Sequence, residues 1–494
     1  MSRASPRILR NTLVVMAGTL ASRVLGLVRQ QFFVNLFPDA LKDAFTVAYR
    51  VPNLFREILA EGAVQNALIP IIKGLSEAEA RVFLRRFGAL LLGLNLLFIG
   101  LGWLLAPWIA HLLIDRSSYL NQPEQFAQVV YLIRLVMPFL LGISMGALFT
   151  AVLQAEERFG ASSFAPIMFN LGSIALFVLW PGNPTALGLS AAVGGLLQAL
   201  VQLPYLRGFW LEWKPHRAFG EALRRMGPFT FTTGLRQILN LVLVNVLTRY
   251  PAGATNAFYN AEVIYLMVLG LLSTSPAMAL YPRMADQQND PVALGNLLRR
   301  ALERVVVLMG LAGGLLVALA PWLVGALYAF SANFTPENRF YSSQTLTAMG
   351  FAVLPWGINT FLLRGFYALG EVARAVQVSV VILVLNALGY WLLRDTGLFA
   401  LNLSTAVAGL VGLLIYAARL ERLQVLSLRW LLEFSGRVVL AALPSAAVAY
   451  GVARWFGFPG YFLHNLPPLI AGGLMGLAAF FVAARWLKLP LRLR

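Results

Sequence analysis

The stretch TLVVMAGTLASRVLGLVRQQFFVNLF, residues 12–37, is long and apolar enough to cross a membrane as a helix, yet it contains two arginines. A transmembrane helix needs about 20 predominantly apolar residues. Arg23 and Arg29 therefore fall where such a helix has no water around it. A second stretch, residues 44–72, repeats the pattern with Arg50 and Arg56.

The composition of the whole chain is that of a membrane protein. Hydrophobic residues make up 59% of the 494 positions and charged residues 12%, whereas soluble domains are about 45–50% apolar and about 25% charged. The chain has no cysteine, which excludes disulfides, thiolate zinc sites and iron–sulfur clusters.

Apolar runs separated by turn-like links predict an all-α integral membrane protein of about fourteen transmembrane helices. We place the spans at residues 12–37, 44–72, 87–114, 128–153, 161–180, 185–206, 227–249, 257–282, 301–328, 342–368, 375–393, 397–418, 437–456 and 466–487.

Fourteen spans would place both termini on one side of the membrane and the loops alternately on the two sides. The lysines and arginines are unevenly divided between these sides. Of the 39 lysines and arginines, 26 fall on the side of the two termini, and the opposite side receives six: Lys42, Arg116, Arg249, Arg339, Arg394 and Arg454. Positive residues mark the cytoplasmic side. We therefore expect both termini in the cytoplasm, with the net charge of +18 facing anionic lipid headgroups rather than nucleic acid.

Seven basic residues remain well inside spans, more than three residues from either end: Arg23, Arg29, Arg50, Arg56, Arg134, Arg236 and Arg364. An arginine at mid-membrane costs about 2.5–3.5 kcal/mol. Snorkelling to the interface or salt bridges between helices are the alternative explanations, and Arg29 and Arg50 are the candidates for them. Four arginines in two spans with three nearby acids favour instead a basic cavity that holds an anion. Guanidinium groups bind phosphate bidentately.

Signals for an enzyme are absent from the sequence. It contains no phosphate loop of the GxxxxGK[ST] type and no HExxH motif, and its three histidines, His111, His216 and His464, are far apart. A cavity without catalytic groups indicates transport.

Two further patterns predict local structure and domain organisation. SEAEARVFLRRF, residues 76–87, predicts a short surface helix that opens with Ser76 and Glu79 at capping-box spacing. Residues 152–177 and 366–390 form a weak repeat, each with a polar turn between two spans and then Asn170 or Asn386. The repeat favours two six-span lobes around a central cavity, a common route to alternating access.

Three stretches of the sequence resemble the MurJ lipid II flippases of the MOP exporter superfamily: SRVLGLVRQ (22–30), DAFTVAYRVPNLFREILAEGAVQNALIPII (43–72) and RFGASSFAPIMFN (158–170). The resemblance implies a V-shaped pair of six-helix lobes, 1–210 and 211–424, with two further helices in 425–494 beside a lipid-tail groove. It also implies a monomer in the bacterial inner membrane that exports lipid II, the undecaprenyl-diphosphate-linked peptidoglycan precursor.

The resemblance also implies roles for particular residues. Arg23, Arg29 and Arg56 match the family's essential cavity arginines, and Arg50 stands where the family has a basic residue. Asp43 and Glu61 match acids of its second span. We expect these six residues to bind substrate, with no catalytic residue, no metal ligand and no cofactor, and with a membrane potential or an ion gradient as the energy source.

The sequence also departs from the family pattern. Gln30 replaces an acid, and Glu262 stands at or near the place of an essential arginine. Arg236 is unexpected in the seventh span, where no aspartate supplies a family-type sodium site and Asn240 and Asn245 are the nearest candidates. We interpret Glu262 and Arg236 as a possible charge pair, with Arg249 as the competing partner and exposure of Glu262 to the outer aqueous mouth as the third possibility.

Three functions are compatible with these patterns. A lipid-diphosphate flippase accounts best for the basic cavity. An exporter of another lipid-linked oligosaccharide or a MATE-like antiporter is the alternative, although a basic cavity disfavours cationic drugs. An integral-membrane lipid transferase would need a cluster of catalytic acids or a metal site, and the sequence has no such cluster.

Overall fold

The computed structural model describes residues 6–59, 71–72, 74–115, 123–156, 158–206, 210–457 and 459–490. All regular secondary structure within these ranges is helical, which confirms the all-α fold class. The chain forms two compact units, Met1–Ala252 and Gly253–Arg494. The finer division into lobes at 1–210, 211–424 and 425–494 stays a prediction.

The first unit contains nine of the described α-helices and one 3-10 turn. The helices are α1 (Pro6–Leu36), α2 (Asp39–Leu59), α3 (Glu77–Leu104), α4 (Ala106–Leu113), α5 (Pro123–Val136), α6 (Phe139–Ala155), α7 (Phe159–Leu179), α8 (Pro184–Leu200) and α9 (Phe219–Leu247), and the turn is Leu203–Tyr205.

The second unit contains eight of the described α-helices and one π-helical segment. The helices are α10 (Ala254–Leu269), α11 (Ser275–Ala285), α12 (Pro291–Tyr328), α13 (Pro336–Ala368), α14 (Val372–Leu392), α15 (Leu398–Arg422), α16 (Leu428–Phe456) and α17 (Phe462–Trp486). The π-helical segment, Gly270–Thr274, joins α10 to α11.

Eleven helical segments of the described chain are long and apolar enough to cross a membrane. Each overlaps one of the predicted spans, from Glu77–Leu104 to Phe462–Trp486. Helices α1, α2 and α9 occupy the positions of the three remaining predicted spans. The total of fourteen spans stays a prediction.

Small residues allow the helices of each unit to approach one another closely. In the first unit, a Cβ added to Gly142 of α6 would lie 2.2 Å from the backbone carbonyl carbon of Gly195 in α8. In the second unit, a Cβ on Gly313 of α12 would lie 2.8 Å from the carbonyl oxygen of Gly350 in α13. Such contacts suit helices in lipid, where van der Waals packing drives association.

The two halves of the predicted repeat share the geometry of their turns. After α6, the backbone N–H of Arg158 donates to the carbonyl of Leu153 at 2.7 Å. After α13, the N–H of Glu371 donates to the carbonyl of Phe366 at 2.9 Å, with Gly370 at φ +75°. Both bonds reach back five residues, so the two polar turns end their helices in the same way.

The predicted capping box is present at the start of α3. The Ser76 side chain accepts the Glu79 backbone N–H, and the Glu79 carboxylate accepts the Ser76 backbone N–H. The prediction of a separate surface helix was wrong, because α3 continues to Leu104. No proline stands between the amphipathic first turns and the apolar run, and Gly88 at their boundary is helical, so the helix does not end.

Candidate substrate-binding site

Helices α1 and α7 pack closely around the first predicted site residue, Arg23. A Cβ on Gly18 of α1 would lie 2.5 Å from the carbonyl oxygen of Ser163 in α7. One turn further along α1, the Asn170 side chain donates to the carbonyl of Ser22 at 3.2 Å. The Arg23 side chain is exposed, and no other described residue forms a hydrogen bond or an ion pair with it. It is therefore available to a ligand.

Arg29 of α1 lies next to an aromatic ring of α7, that of Phe169. Its guanidinium carbon is 5.3 Å from the ring centroid of Phe169 in α7, within the range of a cation–π contact. The Arg29 Nε atom is buried and has no hydrogen-bond partner among the described residues. A buried donor without an acceptor is costly, and an anion would supply the missing acceptor.

Helix α2 begins with a buried charged turn. Lys42 is fully buried, and its Nζ donates to the carbonyl of Val34 at 3.0 Å and pairs with Asp39 at 2.7 Å. Asp43, a predicted site residue, is buried beside it, with 4% of its surface exposed. Arg50 lies two turns further along α2 and is half-buried. The start of α2 is thus a packed part of the first unit.

Arg56 lines a cavity of about 390 Å³ within the first unit. Small-molecule sites are usually about 300–1,000 Å³. The lining residues come from α2, α6, α7 and α8: Tyr49, Arg56, Phe139, Ile143, Ala147, Thr150, Ser162, Pro166, Phe169 and Gln198. Phe169 is one of these lining residues, and the guanidinium of Arg29 lies over its ring. Arg56 therefore lines the cavity itself, whereas Arg29 is not a lining residue but contacts one of them, Phe169.

A chain of polar side chains runs from Arg56 to helix α9. Arg56 donates through Nε to Asn53 Oδ1 at 2.8 Å, and Asn53 donates to Glu57 Oε1 at 2.9 Å. The other Glu57 oxygen accepts from Gln237 Nε2 of α9. Asn240 then donates to Gln237 Oε1 at 3.3 Å. These hydrogen bonds link the guanidinium of Arg56, at the cavity, to helix α9.

Glu61 and Arg236 belong to the predicted site but cannot be placed. Glu61 lies outside the described residues, and so does the side chain of Arg236, although the backbone of Arg236 belongs to α9. Their roles stay predictions.

In the second unit, Glu262 is half-buried in α10 and interacts electrostatically with Tyr265 and Tyr390. Arg249, the competing partner that the sequence suggested, belongs to the first unit and pairs there with Asp115 at 2.9 Å.

The candidates for the missing sodium ligand also have partners. Asn240 belongs to the chain described above, and Asn245 donates to the carbonyl of Leu112 at 3.3 Å. No group of three or more histidine or acidic residues in the described part of the chain could hold a metal ion.

Sequence reasoning missed the aromatic and amide part of the site. Phe169 lies inside the stretch 158–170 that carries the family resemblance, but a phenylalanine in an apolar run gives no signal of its own. Tyr49, Asn53 and Gln237 gave none either. The seven-residue spacing of Asp43, Arg50 and Glu57 on α2 was the one available pointer to Glu57.

The long apolar helices define a multi-span membrane protein, and comparison with solved structures shows its fold. The chain is similar to "Lipid II flippase MurJ, inward closed conformation", with a TM-score of 0.80, 19% identity and coverage of 96% of this chain and 100% of that one. A multidrug resistance MATE family transporter of the MOP superfamily, inward-facing, gives a TM-score of 0.63 at 14% identity, over 83% and 98% of the two chains.

The chain belongs to the Lipid II flippase MurJ family, whose sequence profile matches residues 34–468. It is 25% identical over 97% of both chains to the "Probable lipid II flippase MurJ" of Rickettsia prowazekii (strain Madrid E). Proteins of this family are transporters rather than enzymes. The chain is accordingly a multi-pass membrane protein.

Proposed function

We propose that this protein exports lipid II, the lipid-linked peptidoglycan precursor, across the bacterial inner membrane. The observation that carries the proposal is the cavity of the first unit, which is lined by Arg56 and by Phe169, the residue whose ring the Arg29 guanidinium contacts. A lipid-linked precursor presents a diphosphate, and arginine is the side chain best suited to bind phosphate oxygens bidentately. The names of the relatives support the same substrate.

In this proposal Arg29 and Arg56 hold the diphosphate, and Arg23 contacts it from the exposed side of α1. Arg50, Asp43 and Glu61 complete the substrate-binding residues. The mechanism is alternating access: the polar headgroup crosses in the cavity while the lipid tail stays in the bilayer. Both termini lie in the cytoplasm, and the protein works as a monomer.

The energy source in this proposal is the membrane potential. The substrate's diphosphate is an anion, and an inside-negative potential favours its outward movement by about 2.3 kcal/mol per charge per 100 mV. The sequence has no nucleotide-binding loop that would supply energy from ATP.

Depletion of the gene in its own host tests the substrate. We expect lipid II to accumulate in the inner leaflet while its synthesis continues, and re-expression of the wild-type chain to restore the normal distribution. A host that keeps a normal distribution of lipid II after depletion would overturn the proposal. Accumulation of a different lipid-linked oligosaccharide would assign the transporter to that substrate instead.

A further inference from the structure

Arg56 has a carboxylate close to it, that of the neighbouring residue Glu57. The guanidinium lies 3.9 Å from Glu57 Oε1, and Asn53 bridges the two side chains through hydrogen bonds of 2.8 and 2.9 Å. Both side chains are largely withdrawn from solvent, with 23% of Arg56 and 14% of Glu57 exposed. Charges in such a setting interact more strongly than they would in water.

Glu57 is held from the other side by helix α9. Gln237 is buried and donates its amide to Glu57 Oε2, and Asn240 fixes the orientation of that amide by donating to its oxygen. One carboxylate oxygen therefore faces Asn53 and Arg56, and the other faces α9. The Glu57 carboxylate thus interacts both with the guanidinium of Arg56 and with the amide of Gln237 on α9.

We propose that Glu57 is an internal counter-anion that sets how tightly Arg56 binds the diphosphate of the substrate, and that Gln237 limits its reach by holding it on α9. The inference rests on the proposed function. An incoming diphosphate competes with the carboxylate for the positive charge of Arg56. Glu57 therefore lowers the affinity of the cavity for the anion and speeds its release. Glu57 is a positioning residue, since in this account it acts on the substrate through Arg56.

Two substitutions separate this role from a purely structural one, because they shift affinity in opposite directions. Glu57→Gln keeps the size of the side chain and an oxygen for Gln237, but removes the competing charge, so the anion should bind more tightly. Gln237→Leu removes the restraint on α9 and lets the carboxylate turn fully toward Arg56, so the anion should bind more weakly. Loss of a merely structural contact would weaken binding in both variants.

The test is a binding titration of the purified full-length protein with farnesyl diphosphate, paired with a measurement of lipid-diphosphate transport. We expect the Kd of Glu57→Gln to fall about tenfold, within the 5–150-fold span typical of coupled sites, while its transport turnover also falls. The Kd of Gln237→Leu should rise, about fivefold by the same comparison. Glu77→Gln, a carboxylate paired with Arg81 at the surface of α3, is the matched control and should change neither value.

Arg56→Ala distinguishes failure of this inference from failure of the proposed function. Weaker binding in Arg56→Ala together with an unchanged or higher Kd in Glu57→Gln would overturn the inference about Glu57 and leave the cavity proposal standing. Wild-type affinity in Arg56→Ala would overturn both, because the anion would then bind elsewhere. If Glu57→Gln does not fold, a lower Kd in Gln237→Leu overturns the inference by itself.

Discussion

Arg29 shows at the scale of one residue why an arginine in a membrane span indicates a function. Its placement in a membrane costs about 2.5–3.5 kcal/mol, and the contact with Phe169 offsets only part of this, about 0.5–2 kcal/mol for a cation–π pair. Its Nε atom remains buried without an acceptor among the described residues. A bound anion would give this Nε atom the acceptor that no described residue supplies.

Replacing either cavity arginine should therefore abolish transport without preventing insertion. Arg29→Ala and Arg56→Ala each remove a charge-assisted hydrogen bond, which contributes about 1.5–3 kcal/mol, so anion affinity should fall roughly 10- to 100-fold. The measurement is the growth of a flippase-depleted host that expresses each variant, with the amount of protein in the membrane determined in parallel. Arg81→Ala, an exposed arginine paired with Glu77, is the control and should support growth. Wild-type growth with both cavity variants would show that the cavity does not carry the substrate.

The sequence draws attention to the arginines but not to their partners. An arginine in an apolar run is conspicuous because of its transfer cost, so the sequence predicts Arg29 and Arg56 as site residues, and their roles stay predictions. Phe169 and Gln237 cannot, because each meets its arginine or acid through tertiary packing. The hydrogen bond between Gln237 and Glu57 joins residues 180 positions apart, and no local pattern encodes such a pair.

At the scale of elements, the close crossing of α6 and α8 should tolerate no added side chain. Gly142→Ala would place a Cβ against the backbone at Gly195, and overpacking of this kind costs about 1–3 kcal/mol. We expect a lower thermal unfolding temperature in detergent. Gly100→Ala in α3 is the matched control, because no atom lies within 4 Å of its added Cβ. The control should be neutral or slightly stabilising, since alanine favours helices over glycine by about 0.5–1 kcal/mol. Equal unfolding temperatures for the two variants would contradict the packing described here.

The start of α3, which precedes the apolar span predicted from residue 87, should make a pH-dependent contribution to stability. Hydrogen bonds from Ser76, followed by the charge of Arg217, hold the pKa of Glu79 below its ordinary value of 4.5. A carboxyl group with a lowered pKa stabilises the folded state above that ordinary value and loses its contribution as the pH falls through the lowered one. Glu79→Gln should therefore reduce the unfolding temperature at pH 7, and the difference from wild type should shrink below pH 4.5.

Glu124→Gln provides the comparison for this measurement. Glu124 also lies in the first turn of a helix, α5, and has no ion-pair partner in the part of the chain that the structure describes. At pH 7 its variant should lower the unfolding temperature less than Glu79→Gln does, because no ion pair within the described part of the chain is lost. A Glu79→Gln difference that stays constant from pH 7 to pH 4 would contradict the assignment of the lowered pKa to Glu79.

The elements were more predictable than their exact extents. Apolar run length placed eleven spans where the structure has long apolar helices, because the thickness of the bilayer fixes that length. The start of α3 was misjudged by about ten residues, since residues 76–87 were predicted as a separate surface helix, whereas α3 runs through them into the span without a break. Charged residues in a sequence indicate where a helix leaves the apolar part of the membrane, but the helix itself can continue beyond that point, as α3 does.

At the scale of the whole molecule, the energy source can be tested separately from the binding site. If the potential drives export of the anionic substrate, collapsing it with an ionophore should stop export while the ATP level is held constant. The control is an exchange of one ion gradient for another at constant potential, which should leave export unchanged. Export that continues at zero potential would exclude the potential as the driving force.

The central claim is that the arginine-lined cavity of the first unit carries a lipid-linked diphosphate across the membrane. The most direct measurement uses the purified full-length chain in liposomes whose inner leaflet contains lipid II, with an inside-negative potential, and follows the appearance of lipid II in the outer leaflet. We predict transfer with the wild-type chain and background transfer with the Arg29→Ala, Arg56→Ala double variant. Transfer by the double variant at the wild-type rate, or no transfer by the folded wild-type chain, would contradict the account.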